Sequence, residues 1–144
     1  MDHLPEKALS IRQPWAWAIL NAGKDIENRP RRFHYRGPIC LHASQHKDRN
    51  EAQWDACMAI LDGMHGAFTM RELAAQQGRW SSASTSNEAV RGGIIGTAEI
   101  VDCVEQSDSP WFFGPFGLVL ENIKPVEFVP VKGALGLFNW RMNL

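Results

Sequence analysis

The chain has 144 residues, 44% of them hydrophobic and 22% charged, with a formal net charge of −1. That composition supplies one continuous apolar core and excludes collagen, coiled coil and wholesale disorder. No apolar run reaches the roughly 18 residues of a membrane-spanning helix, and the start MDHLPEKALS lacks the pattern of a cleaved secretion signal.

Ala8-Leu9-Ser10-Ile11 alternates as a strand with one buried face does. Trp15 to Ala22 reads as a helix of about two turns, with Pro14 at its first helical position and Gly23 ending it. Lys24-Asp25-Ile26-Glu27-Asn28-Arg29 reads as a strand or its approach, closed by Pro30. Gly37-Pro38 turns the chain into a strand over Ile39-Cys40-Leu41-His42. Asn50 to Leu61 is amphipathic, with Trp54, Met58 and Leu61 on one stripe and Asp62-Gly63 as its end. Thr69 to Glu72 has capping-box spacing for a short helix to about Gln77, and the serine-rich stretch 78–87 lacks periodicity. From Gly92 the pattern is β: Ile94 to Val104 with a glycine suited to a bulge, Phe116 to Ile123, Pro125 to Val131, and Ala134 to Trp140. At least five strands at short spacing, with two helices inserted early, predict a small closed or nearly closed barrel.

Charge is unevenly placed. Residues 24–49 hold seven bases (Lys24, Arg29, Arg31, Arg32, Arg36, Lys47, Arg49) against three acids, whereas residues 50–144 hold six bases and eleven acids. Folded onto one face, the basic segment attracts phosphate; left in a loop, it serves solubility. The three cysteines (Cys40, Cys57, Cys103) are odd in number and far apart, which points to a reducing cytoplasm rather than a disulfide framework.

His42 and His46 are four apart, but no cysteine pair or second histidine pair backs them as metal ligands, so no metal and no cofactor are expected. Gly92-Gly93 and Gly114-Pro115-Phe116-Gly117 are too sparse for a phosphate-cradling loop or a dinucleotide fingerprint. The serines at 81–86 lack the Gly-x-Ser-x-Gly context of common serine hydrolases.

The concentrated chemistry lies in segment 10–29, which carries Gln13, Trp15, Trp17, Lys24, Glu27, Asn28 and Arg29. Polar donors, aromatic planes and a basic group are what holding one flat, hydrogen-bonding ligand such as a nucleobase requires. Trp15 and Trp17 do not share a helical face, so at least one faces the core. The alternative makes Glu27 and Arg29 a same-face salt bridge and both tryptophans packing residues.

Leu9-Ser10-Ile11-Arg12-Gln13-Pro14-Trp15-Ala16-Trp17-Ala18-Ile19 and Gly23-Lys24-Asp25-Ile26-Glu27-Asn28-Arg29 closely resemble the opening of ASCH-domain proteins. The likeness continues through Tyr35-Arg36-Gly37-Pro38, Leu41-His42-Ala43-Ser44, Gly96 to Cys103, Ser109-Pro110-Trp111-Phe112, Gly114 to Gly117 and Lys132 to Phe138. The resemblance implies one ASCH/PUA-like domain over 1–144 with a variable, partly loop-like insert at about 50–91. The implied fold is α+β, a PUA-like β-barrel of about five to six strands with flanking helices and a cleft at one end.

The resemblance also implies RNA or a nucleoside or nucleotide as partner. A nucleobase would sit in the cleft among Gln13, Trp15, Asn28, Arg29, His42, Ser44 and Trp111, with Trp15 or Trp111 stacking. Gln13 and Asn28 would read the base edge, and Lys24, Arg29 and the Arg31–Arg36 loop would hold phosphate. No membrane is implied, and a protein partner is possible but not indicated. Small bacterial relatives hydrolyse N4-acetylcytidine or cleave RNA, so the enzymatic alternative is a metal-free amidohydrolase or ribonuclease with Lys24 and Glu27 as the catalytic pair. In the amidohydrolase branch a catalytic threonine would fall on Glu27, and a carboxylate does not replace a hydroxyl nucleophile without a different mechanism.

Overall fold

The computed structural model describes residues 3–46, 51–65 and 90–144. Strand β1 (Lys7–Ile11) is followed by helix α1 (Trp15–Asn21), strands β2 (Ile26–Arg29) and β3 (Gly37–Ala43), and helix α2 (Glu51–His65). Strands β4 (Gly93–Val104), β5 (Phe116–Pro130) and β6 (Leu137–Asn139) complete the sheet, and a 3₁₀ turn covers Trp140–Asn143.

The six strands form one mixed sheet in the order β2-β5-β4-β3-β1-β6. Only β1 and β3 run parallel, in the register Ala8↔Cys40 to Ile11↔Ala43, which puts Ser10 beside His42. The remaining pairings are antiparallel. The sheet curls into a half-barrel that, with the two helices, makes the small α+β barrel the sequence predicts.

Alternation along β1 and β3 supplies apolar residues to both sheet faces. Leu9, Ile11 and Leu41 join Ala16, Ile19, Ile100 and Leu118 in a core between the sheet and α1. Ala8 and Cys40 join Leu4, Ile94, Val129, Val131 and Trp140 on the other face. A third cluster ties α1 to α2 through Trp17, Ala18, Cys57, Leu61 and Trp111. Burial in these separate clusters pushes the Cys57 thiol up to about 12 and the Cys40 thiol up to about 11, so both behave as small hydrophobic groups.

Helix α1 ends where expected. Gly23 sits at φ +74°, a left-handed conformation that a Cβ would strain. Pro14, joined to Gln13 by a cis peptide, stands one position before the first helical residue rather than at it.

Three other expectations need correction. Helix α2 continues through Gly63 to His65, because a glycine with ordinary helical dihedrals weakens a helix without stopping it. Strand β5 is continuous from Phe116 to Pro130; Pro125 is accommodated beside a slip in the pairing with β4, one of the places a sheet tolerates proline. Only Leu137–Asn139 of the expected 134–140 strand pairs. The helix expected at 69–77 and the serine-rich stretch 78–87 lie outside the described residues. No helix among the described residues is long and apolar enough to cross a membrane.

Candidate functional site

The curl of the sheet brings its edge strand β2 toward β1, and the two meet through one side chain. Arg29 Nη2 donates 2.8 Å to the Ser10 carbonyl and lies 3.2 Å from Glu27 Oε2. Around this seam opens a cleft of about 700 Å³. Its walls are the end of β1 with Arg12 and Trp15, the β2 residues Glu27 to Arg29 with Pro30, the His42–His46 segment without buried Ala43, and the Lys132–Gly136 loop.

Glu27 is buried at the back of the cleft between two cations. Lys24 Nζ lies 3.2 Å from its Oε1 and also donates to the Ile26 carbonyl; Arg29 holds Oε2. A buried carboxylate with a cation on each oxygen is held in a fixed orientation. Lys24 itself is 1% exposed and does not line the cleft.

Trp15 forms the aromatic wall. Its indole N–H donates 2.9 Å to Gln53 of α2, the edge-on ring of Phe113 lies 6.4 Å away, and the Lys24 ammonium lies 5.9 Å from its centroid. Those contacts fix the ring plane before any ligand arrives, which is the preorganisation that stacking needs.

His42 sits on β3 beside Ser10. Its Nε2 is 2.7 Å from the Val131 carbonyl and its Nδ1 is 3.0 Å from Ser10 Oγ. Burial holds its pKa below the ordinary value, outweighing the bond to Val131.

The sequence-predicted residues therefore divide. Trp15, Glu27, Asn28, Arg29, His42 and Ser44 line the cleft. Asn28 is at the wall, but its amide is committed: Nδ2 donates to Trp111 O, and Oδ1 accepts from the Phe113 and Gly114 N–H groups. Its role is to hold the 105–115 connection against β2, which leaves little for reading a base edge. Gln13 does not line the cleft. Its Oε1 accepts the Trp17 N–H in the first turn of α1 and its Nε2 donates to Val90 O.

Trp111 is 1% exposed and packs with Trp17, Cys57 and Leu61, so of the two tryptophans expected at the cleft only Trp15 lines it. The basic loop also misses the cleft. Arg32 pairs with Glu105 at 3.0 Å and lies over the Phe116 ring, while Arg36 faces Asp102 at 3.9 Å. Among the described residues no group of three or more His, Cys, Asp and Glu is placed to hold a metal ion.

Sequence reasoning missed Ser10, Arg12 and the Lys132–Gly136 loop as cleft walls. Arg12 and Lys132 are exposed there, and Leu135 is 99% exposed at the rim. Arg12 was within reach of a sequence argument, because it adjoins the Gln13–Trp15 cluster. Lys132 is 120 positions further on, and no local signal connects them.

The described geometry is one aromatic plane, one oriented carboxylate, a Ser–His pair and two exposed cations around an open hollow. The ASCH domain family model matches residues 9–130. No curated protein matches the chain.

Proposed function

The chain belongs to the ASCH-domain family, generally a PUA-like RNA-binding fold, and from that premise we propose that its cleft binds RNA by taking one nucleobase against Trp15. Arg12 and Lys132, both exposed at the cleft, hold the flanking phosphates, and Arg29 supplies positive charge from the seam. The observation that carries this reading is Trp15: an aromatic ring braced by Gln53 and Phe113 and still lining a hollow of nucleotide size. A stacked base contributes about 1–3 kcal/mol, and each phosphate contact adds salt dependence.

A cleft of this volume takes one or two nucleotides rather than a long footprint. Fluorescence anisotropy with a labelled pentanucleotide RNA at two salt concentrations tests the reading. Two phosphate contacts give a log–log salt slope of about −1.4 for a single strand. Absent or salt-independent binding contradicts it.

The hydrolytic alternative asks Lys24 and Glu27 to act as an acid–base pair on a modified nucleoside or on RNA. Glu27 is at the cleft, but the Lys24 ammonium is sealed behind it and bonded to Ile26 O. A proton donor or acceptor must reach the reacting atom, directly or through one water. The burial of Lys24 supports a positioning role, in which it fixes the carboxylate, and so favours binding over hydrolysis.

A further inference from the structure

Ser10 and His42 form a chain of hydrogen bonds whose direction is fixed by chemistry. The Val131 carbonyl can only accept, so the His42 nitrogen 2.7 Å away, Nε2, carries a proton. In a neutral ring Nδ1 is then bare and can only accept, so Ser10 Oγ–H donates to it across 3.0 Å. His42 is fully buried, and burial favours that neutral form. With its proton committed, the serine oxygen offers the cleft lone pairs alone.

Two further features keep this oxygen reachable and set its surroundings. Gly133 passes directly over the pair: a Cβ there would stand 3.1 Å from Ser10 Oγ and 2.7 Å from His42 Cε1. A side chain at 133 would therefore crowd the serine that glycine leaves open to the cleft. Glu27, at the back of the cleft, has its two carboxylate oxygens held by Lys24 and Arg29.

We propose that Ser10 Oγ is a fixed hydrogen-bond acceptor that selects ligands placing an N–H or O–H donor on it. For the nucleotide ligand, on which reading this inference rests, the donor is either an exocyclic amino group of the base or the ribose 2′-hydroxyl. A ligand offering an acceptor at that point leaves two lone pairs facing each other, and the pair cannot rotate to help, because both of its protons are already engaged.

Calorimetric titration of the full chain separates the two sources. Adenosine 5′-monophosphate is compared with purine riboside 5′-monophosphate, which lacks only the amino group, and cytidine 5′-monophosphate with its deamino counterpart. Each parent nucleotide is also compared with its 2′-deoxy form. One of these deletions is expected to weaken binding about tenfold. Ser10→Ala should bring the parent ligand down to the level of the donor-less one, while the donor-less ligand changes less than about twofold. Equal affinity within every pair, with nucleotides still bound, overturns the acceptor role and leaves the nucleotide reading standing. Failure of every nucleotide and of the pentanucleotide to bind overturns both. The ¹⁵N shifts of His42 in the unaltered protein need no variant to fold: a proton on Nε2 and none on Nδ1 at neutral pH is expected, and a proton on Nδ1 overturns the proposal.

Discussion

Arg29 and Arg32 stand three positions apart in one basic segment, and the fold uses them in opposite ways. Arg29 is drawn across the seam of the half-barrel, its side chain 19% exposed, and joins Glu27 to the backbone of β1. Arg32 stays on the surface at 42% exposure and meets Glu105, itself 63% exposed. Asp102 and Glu105, from the end of β4 and just past it, face two of the loop's arginines, Arg36 and Arg32, away from the cleft. The cleft takes its exposed cations instead from Arg12 and Lys132, which no sequence window contains together. A field at a site follows from where the fold places the charges and not from their density along the chain.

The contrast is sharpest when Glu27 is removed. Glu27→Ala leaves the buried Lys24 without its carboxylate, with the Ile26 carbonyl and the Trp15 ring beside it, and loss of one partner from a buried pair costs about 3–5 kcal/mol. Urea unfolding should show that loss, and a cost below about 1 kcal/mol would mean that Lys24 finds water in the folded state.

Trp15→Ala should weaken binding of the pentanucleotide by about 1–3 kcal/mol, read in the same anisotropy titration. Trp111→Ala, by contrast, removes a core side chain, so its main effect should be a cost of about 3–5 kcal/mol in unfolding free energy.

The pH dependence distinguishes seam from surface in another way. The folded His42 binds its proton less readily than the unfolded chain does, so its neutral form is favoured by folding. Between the folded pKa and about 6.5 the unfolded state holds more protons. The contribution of His42 is therefore complete above about pH 6.5 and is lost as the pH falls from there through the folded value. The urea midpoint measured against pH should drop in that window, and His42→Gln should flatten the drop. The smallest effect is expected at the surface: Arg32→Ala should change the unfolding free energy by less than about 0.5 kcal/mol in thermal or urea melts.

Much of the architecture was legible because local rules governed it. The alternation of Ala8 to Ile11, the glycine after α1 and the long β pattern from Gly92 all rest on periodicity or backbone dihedrals, and the structure follows them, with β4 starting at Gly93. Where tertiary contacts decided, local reading failed. Pro125 ends a strand in isolation, yet here it occupies a slip in the β4–β5 pairing.

The site divides along the same line. Trp15, Glu27, His42 and Ser44 stand at strand or helix ends that the turn signals locate, and all four reach the cleft. Gln13 and Asn28 look like ligand readers because amides read bases well, but amides also cap helices and clamp loops, and those partners lie in segments 4 to 86 positions away. Trp111, in a connection punctuated by Ser109, Pro110 and Gly114, reads as a stacking residue at the cleft, whereas residues of α1 and α2 pack against it. The donor direction at Ser10 depends on Val131, 121 positions later, and follows only from three-dimensional placement.

Chemical-shift mapping of the ¹⁵N-labelled chain during titration with the pentanucleotide addresses the cleft as a whole. Ser10, the Trp15 indole, Lys132 and Gly133 should move together and saturate at one concentration, while Arg32 and Glu105 stay still. Shifts centred instead on the groove between Glu99 and Lys124 on the neighbouring strands, or no shifts at all, would contradict the account.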